Sequence, residues 1–115
     1  MPGDITTMKA KDFDAWLAWL RAPTVPQCFG LLAQRAKAGH HEVTAVCAIG
    51  GGCLALGQEP RPNSLFATGL PAGLYLSVSR MNDEERLPFE QIADRLEKVR
   101  ERYVRGAWVW KERDE

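Results

Sequence analysis

The segment 81–103, MNDEERLPFEQIADRLEKVRERY, constrains the chain more than any other. Phe89, Ile92, Ala93, Leu96, Val99 and Tyr103 recur at the spacing that aligns side chains on one face of an α-helix. Such a stripe is stable only when it is buried, so the rest of the chain has to supply a matching apolar surface. Pro88 suits the first turn, where its missing N–H costs nothing. Glu90 and Asp94 stand toward the positive end of the helix dipole, with Lys98, Arg100 and Arg102 toward the negative end. The spacing therefore predicts a helix over 88–103. Asn82 and Asp83 precede it as turn formers whose side chains bond backbone N–H groups two or three residues on, and they predict a structural corner.

The partner surface is read from the remaining segments. Residues 11–21, KDFDAWLAWLR, carry Phe13, Trp16, Leu17 and Leu20 on one face with Trp19 at its edge, and Asp12 or Asp14 favours the first turn. Pro23 stops this helix. Residues 24–39 permit two readings. In one, a helix starts at Thr24 and buries Cys28, Phe29, Leu32 and Ala36, although Gly30 weakens it by roughly 1 kcal/mol. In the other, 27–32 is extended or looped and a shorter helix follows. Residues 42–49 are β-branched and short, a buried strand. Gly50, Gly51 and Gly52 interrupt it, and 53–56 forms a short helical piece ended by Gly57. Leu65–Ala67 reads as a short strand or a turn. Residues 74–79 alternate with a period of two, as a strand does, yet Leu74, Val78 and Met81 also share a helical face. Residues 107–110, AWVW, read as a last strand.

These elements predict an α+β fold, with two or three helices packed on a short antiparallel sheet that includes 43–48 and 107–110. A chain of 115 residues makes one domain, 1–115, with 1–7 and 111–115 as flexible ends. The formal net charge of +0, from 15 basic and 15 acidic residues, argues against a general nucleic-acid or membrane-surface binder. No run approaches 18 continuous apolar residues and no signal peptide opens the sequence. Three cysteines cannot all pair within one chain, which points to a reducing compartment and a cytoplasmic setting.

The reactive residue types have ordinary structural readings. Cys28, Cys47 and Cys53 with His40 and His41 lack the tight Cys-x₂₋₄-Cys pairs of structural zinc sites, and Cys47 and Cys53 have apolar neighbours that predict burial. A Cys47–His nucleophile pair would need a geometry that spacing does not supply. The glycine run after a strand lacks the lysine and hydroxyl of a phosphate loop, so close backbone packing or a tight turn is expected. Asn82, Asp83, Glu84 and Glu85 lack the spacing of a calcium loop. No cofactor signature is present. The binding candidates are Trp16, Trp19, Arg21, Trp108 and Trp110, residue types enriched at binding hot spots, with core packing as the alternative for the tryptophans.

One set of residues carries a resemblance. Trp16, Leu20 and Arg21 are followed by Gln27, Gly30 and Leu32, then Cys47, Ala48, Ile49 and Gly50 with Cys53 beyond. Asn82 and Asp83 then lead to Phe89, Ile92, Ala93, Leu96 and Glu97. In these blocks, over about residues 13–97, the chain resembles a widespread group of short uncharacterised proteins of phages, prophages and bacteria. They share a Cys-x-x-Gly element and an Asn-Asp turn before Phe-x-x-Ile-Ala-x-x-Ile/Leu-Glu. Pro88 departs from the group's small hydroxyl residue, and the run of glycines at 50–52 is richer than the group's. The resemblance implies a setting, a bacterial or infected host cell, and carries no activity. The expected function is that of an accessory protein binding a host or phage protein. The alternative is a small nucleic-acid binder, if Lys9, Lys11, Arg21, Arg35 and Lys37, or Lys98, Arg100, Arg102 and Arg105, converge on one face. A hydrolase or other enzyme using cysteine and histidine is a more distant third.

Overall fold

The computed structural model describes residues 5–6, 10–36, 42–70, 72–98, 103–104 and 107–109. In chain order the elements are β1 (Ile5–Thr6), α1 (Ala10–Arg21), β2 (Ala33–Arg35), β3 (Val43–Val46), α2 (Ala48–Ala55), α3 (Leu65–Thr68), α4 (Ala72–Asp83), α5 (Phe89–Glu97), β4 (Tyr103–Val104) and β5 (Ala107–Val109). The fold is α+β. β2 and β3 form one antiparallel pair, and β1, β5 and β4, in that order, form a second antiparallel sheet.

Helix α1 forms as its periodicity dictates and buries Phe13, Trp16, Leu17, Trp19 and Leu20. Trp16 is the hub. Its ring meets Phe13 and Phe66 edge-on at centroid distances of 6.0 and 4.8 Å, and its indole N–H donates to the carbonyl of Ala48 at 3.0 Å. Trp19 packs edge-on against Phe89 at 5.4 Å, which joins α1 to α5. On α5, Phe89, Ile92, Ala93 and Leu96 are all buried. Each fully buried aliphatic or aromatic side chain of this kind contributes about 1.5–3 kcal/mol.

Helix α2 is the element local propensity argues against. Its sequence is AIGGGCLA, and each glycine costs about 1 kcal/mol relative to alanine in a helix interior. Packing overrides that cost. A Cβ on Gly51 would overlap the Trp19 ring, one on Gly52 the Phe66 ring, and one on Gly50 the Leu32 carbonyl and Val46. The missing side chains let a helix lie directly on two aromatic rings and a strand. The glycine run is thus a close-packing device, as expected, but inside a helix rather than as a break before one. Gly57, at φ +71, ends the segment in the left-handed region where glycine is favoured.

Five other segments differ from the expected form or decide between two readings. Of the two readings of 24–39, the described residues 24–36 reject the continuous helix. Gln27 bridges Val46 in parallel, and Ala33–Arg35 is strand β2, because the backbone of Pro26, Cys28 and Leu32 bonds to Val46 and Cys47. Residues 37–39 lie outside the described residues. Residues 74–79 belong to helix α4: Leu74 and Val78 are fully buried while Leu76 is 60% exposed, a split that period two cannot produce. The predicted helix 88–103 stops at Glu97, with Pro88 as its N-cap, and Tyr103 pairs with Trp108 across β4 and β5. Val99 lies outside the described residues, and Leu65–Thr68 is a short helix. The expected loose arm 1–7 contains β1, which pairs with β5; its other residues, and 111–115, lie outside the described residues.

Candidate functional site

The polar centre of the molecule is Asn82, the only polar side chain fully buried among the described residues. Its Oδ1 accepts from the backbone N–H of Ala48 at 3.0 Å and from Gln27 Nε2 at 2.8 Å. Its Nδ2 donates to the carbonyl of Cys28 at 2.9 Å and to Asp83 Oδ1 at 2.7 Å. A primary amide has two lone pairs and two N–H groups, so Asn82 is saturated. Gln27 Nε2 also donates to the carbonyl of Leu87 at 2.8 Å. Asp83 Oδ1 takes the N–H of Gly30 at 2.9 Å.

Asn82 and Asp83 therefore do not serve their own turn, as their local chemistry predicts. They end α4, and they reach segments far away in sequence. Asn82 supplies the acceptor that α2 lacks at its start, where Cys47 is the N-cap residue and makes no side-chain capping bond. Asp83 and Asn82 together pin the loop 27–32 onto the corner between α4 and α5.

That loop faces outward with apolar groups. Phe29 is 37% exposed and Leu31 57%, although the helical reading placed Phe29 in the core. The exposure follows from Gly30, whose φ of +79 turns the chain so that its flanking side chains leave the protein. Arg86, a non-glycine residue at φ +53, sets its guanidinium 4.7 Å from the Phe29 ring centroid. A left-handed arginine costs about 1–2 kcal/mol, which the surrounding bonds at Gln27, Asn82 and Leu87 sustain. Leu31 also lines a hollow of about 250 Å³ with Leu32, Pro60, Pro62, Arg35 and Arg61. Arg35 donates to the carbonyl of Pro60 at 3.3 Å.

Cys28, Cys47 and Cys53 are buried and free. Burial pushes the Cys47 thiol up to about 11, and it outweighs the opposing pull of the Gly50 and Ile49 amides. Burial, and then the charge of Asp83, raises Cys28 as well. Burial raises Cys53, against a contact between its sulfur and the Ser64 hydroxyl at 3.0 Å. All three are neutral thiols near pH 7, the inert form. No group of three His, Cys, Asp or Glu that could hold a metal occurs among the described residues, and His40 and His41 lie outside them. What the arrangement does is fix backbone: it holds a strand bridge, a helix start and a loop in one geometry.

Gln27, Gly30, Asn82 and Asp83 meet directly, with Cys47 at the start of α2 and Gly50 packed under Leu32. Trp16 and Trp19, named as binding residues, are buried core; burying their rings is worth more than exposing them, so neither offers a contact surface. Arg21 leaves α1 to meet α5, 2.9 Å from Asp94 and 2.6 Å from Glu97, with Glu90 at 3.9 Å. These carboxylates raise its pKa further. Phe89 and Ile92 are core residues. Trp108 lies on β5, and Trp110 is outside the described residues. Leu31, Arg61 and Arg86 were missed. The available signal was Gly30 between two large apolar residues, the pattern of a turn that shows its flanks. No family model, no curated protein and no solved structure matches this chain.

Proposed function

We propose that the chain is a small phage- or prophage-related accessory protein of the cytoplasm that binds another protein through the loop 27–32. The phage setting rests on the residues that carry the resemblance, and the cytoplasmic setting on three free cysteines. One observation carries the binding reading. Phe29 and Leu31 stay exposed on a loop whose backbone is bonded from inside at Cys28, Gly30 and Leu32. A loop so held loses little further freedom on binding, which lowers the entropic cost of association. Phenylalanine and arginine are also residue types enriched at protein interfaces. The nucleic-acid reading gains nothing from Arg21, which stands among three carboxylates.

The test is affinity capture from source-cell extract with the wild type and a Phe29→Ser/Leu31→Ser variant side by side. A partner held by the wild type, lost by a variant of unchanged melting temperature and rebound as a purified protein supports the reading. Capture that is identical in both rejects this loop as the contact.

A further inference from the structure

We propose that the segment docking beside Leu31 is a short acidic peptide, with an aspartate or glutamate within a few residues of an aliphatic or aromatic side chain. This rests on the reading of loop 27–32 as a protein-binding surface and adds the chemistry of what lands there.

The hollow beside Leu31, about 250 Å³, is below the usual 300–1,000 Å³ of a small-molecule pocket and suits a side chain. Leu31, Leu32, Pro60 and Pro62 give it apolar walls that an aliphatic or aromatic group would dry.

Two residues lining the hollow are charged, and both are arginines, Arg35 and Arg61; among the described residues no carboxylate lines it. The backbone around Arg61 is fixed, with its N–H donating to the carbonyl of Glu59 and its carbonyl accepting from Ser64. Two residues before Leu31, Phe29 carries the Arg86 guanidinium on its ring. Stacking on an aromatic face leaves the in-plane N–H groups of an arginine for a carboxylate, in the fork geometry such groups prefer. The acids next to Arg86 in sequence are already engaged. Glu85 pairs with Arg95 at 3.3 Å, Glu84 with Arg80 at 3.8 Å, and Asp83 holds Gly30. A chain of net charge +0 thus shows two exposed arginines with apolar groups, Arg86 with Phe29 and Arg61 with Leu31, on either side of Gly30 in the loop. A peptide complements both, whereas a nucleic acid complements the charge and leaves the proline–leucine walls unused.

The experiment pans the full chain against a displayed library of random dodecapeptides and measures the enriched peptides by fluorescence anisotropy. The expected consensus has Asp or Glu within two or three positions of Leu, Ile, Phe or Met. Arg61→Gln and Arg86→Gln should each weaken binding about five- to tenfold, and amidating the peptide's acid should remove most of that difference. Enriched peptides without acids, or equal binding by the Arg61→Gln/Arg86→Gln double variant, would overturn the acidic-peptide proposal while leaving the loop as a protein contact. Peptide binding unchanged in Phe29→Ser/Leu31→Ser would overturn the loop reading itself, and no enrichment over an unrelated domain would overturn both. A labelled oligothymidylate that binds through Arg61 and Arg86 more tightly than any peptide would replace the peptide with a nucleic acid.

Discussion

Asn82 accepts a hydrogen bond from the backbone N–H of Ala48 at 3.0 Å and so completes the start of a helix to which it does not belong. The same amide holds Gln27 and Cys28. One buried side chain therefore ties α4 to α2 and to the strand bridge beside β3. A polar group in this position is stabilising only because every one of its bonding positions is filled.

Asn82→Ala should lower stability by about 2–4 kcal/mol, because it strands the Ala48 amide, the Cys28 carbonyl and one N–H of Gln27 in the interior. Urea unfolding followed by tryptophan fluorescence measures it. A midpoint within error of the wild type would show that water or a rearranged Gln27 replaces the amide.

Asp83→Ala removes the acceptor for Gly30, 53 residues away. The expected loss is about 0.5–2 kcal/mol, the range for a lost capping carboxylate. Glu84→Ala, two-thirds or more exposed and paired only with Arg80 at 3.8 Å, is the control and should change stability by under about 1 kcal/mol.

Much of the architecture was legible where helical periodicity was long and its faces unmixed. Helix α1 and the Phe89–Leu96 stripe followed from spacing alone. Three places did not, each because a distant partner decided the local conformation. Residues 27–32, left open between helix and loop, take the looped reading because Val46 and Cys47 bond their backbone. Gly50–Gly52 is helical because Trp19 and Phe66 occupy the space that side chains would fill. Tyr103 leaves the helical stripe because Trp108 pairs with it in a sheet. At the site, Asn82 and Asp83 were legible as structural residues, but the sequence offered only their own turn as the object. Phe29 shows the converse: a large apolar residue assigned to the core is turned outward by the left-handed glycine beside it.

Gly52→Ala sets helix propensity against packing. Alanine gains about 1 kcal/mol in a free helix, yet here its methyl would overlap the Phe66 ring. The net outcome should be a loss of about 1–3 kcal/mol, as for other overpacked cores. Combining it with Phe66→Leu should recover part of that loss. A Gly52→Ala protein more stable than the wild type would contradict the packing account of α2.

The thiol of Cys47 makes stability depend on alkaline pH. Its pKa is about 11 in the fold against an ordinary 9.0, so the folded state favours the neutral form. The contribution is complete below pH 9 and is lost as pH rises through 9 to about 11, a change of about 2–3 kcal/mol across that window. Cys47→Ala should flatten this part of the profile. At pH 8 an aromatic disulfide reagent should modify Cys47 only as fast as the protein opens.

Buried Asn82 and half-buried Asp83 together hold the loop that shows Phe29 and Leu31. Amide hydrogen exchange read residue by residue by NMR tests this at one proton, the N–H of Gly30. In the wild type it should exchange at least about a hundredfold slower than an open loop amide, and in Asp83→Ala it should approach the open rate while the Ala48 amide stays protected. A Gly30 amide that exchanges freely in the wild type, or stays equally protected without Asp83, would contradict the account.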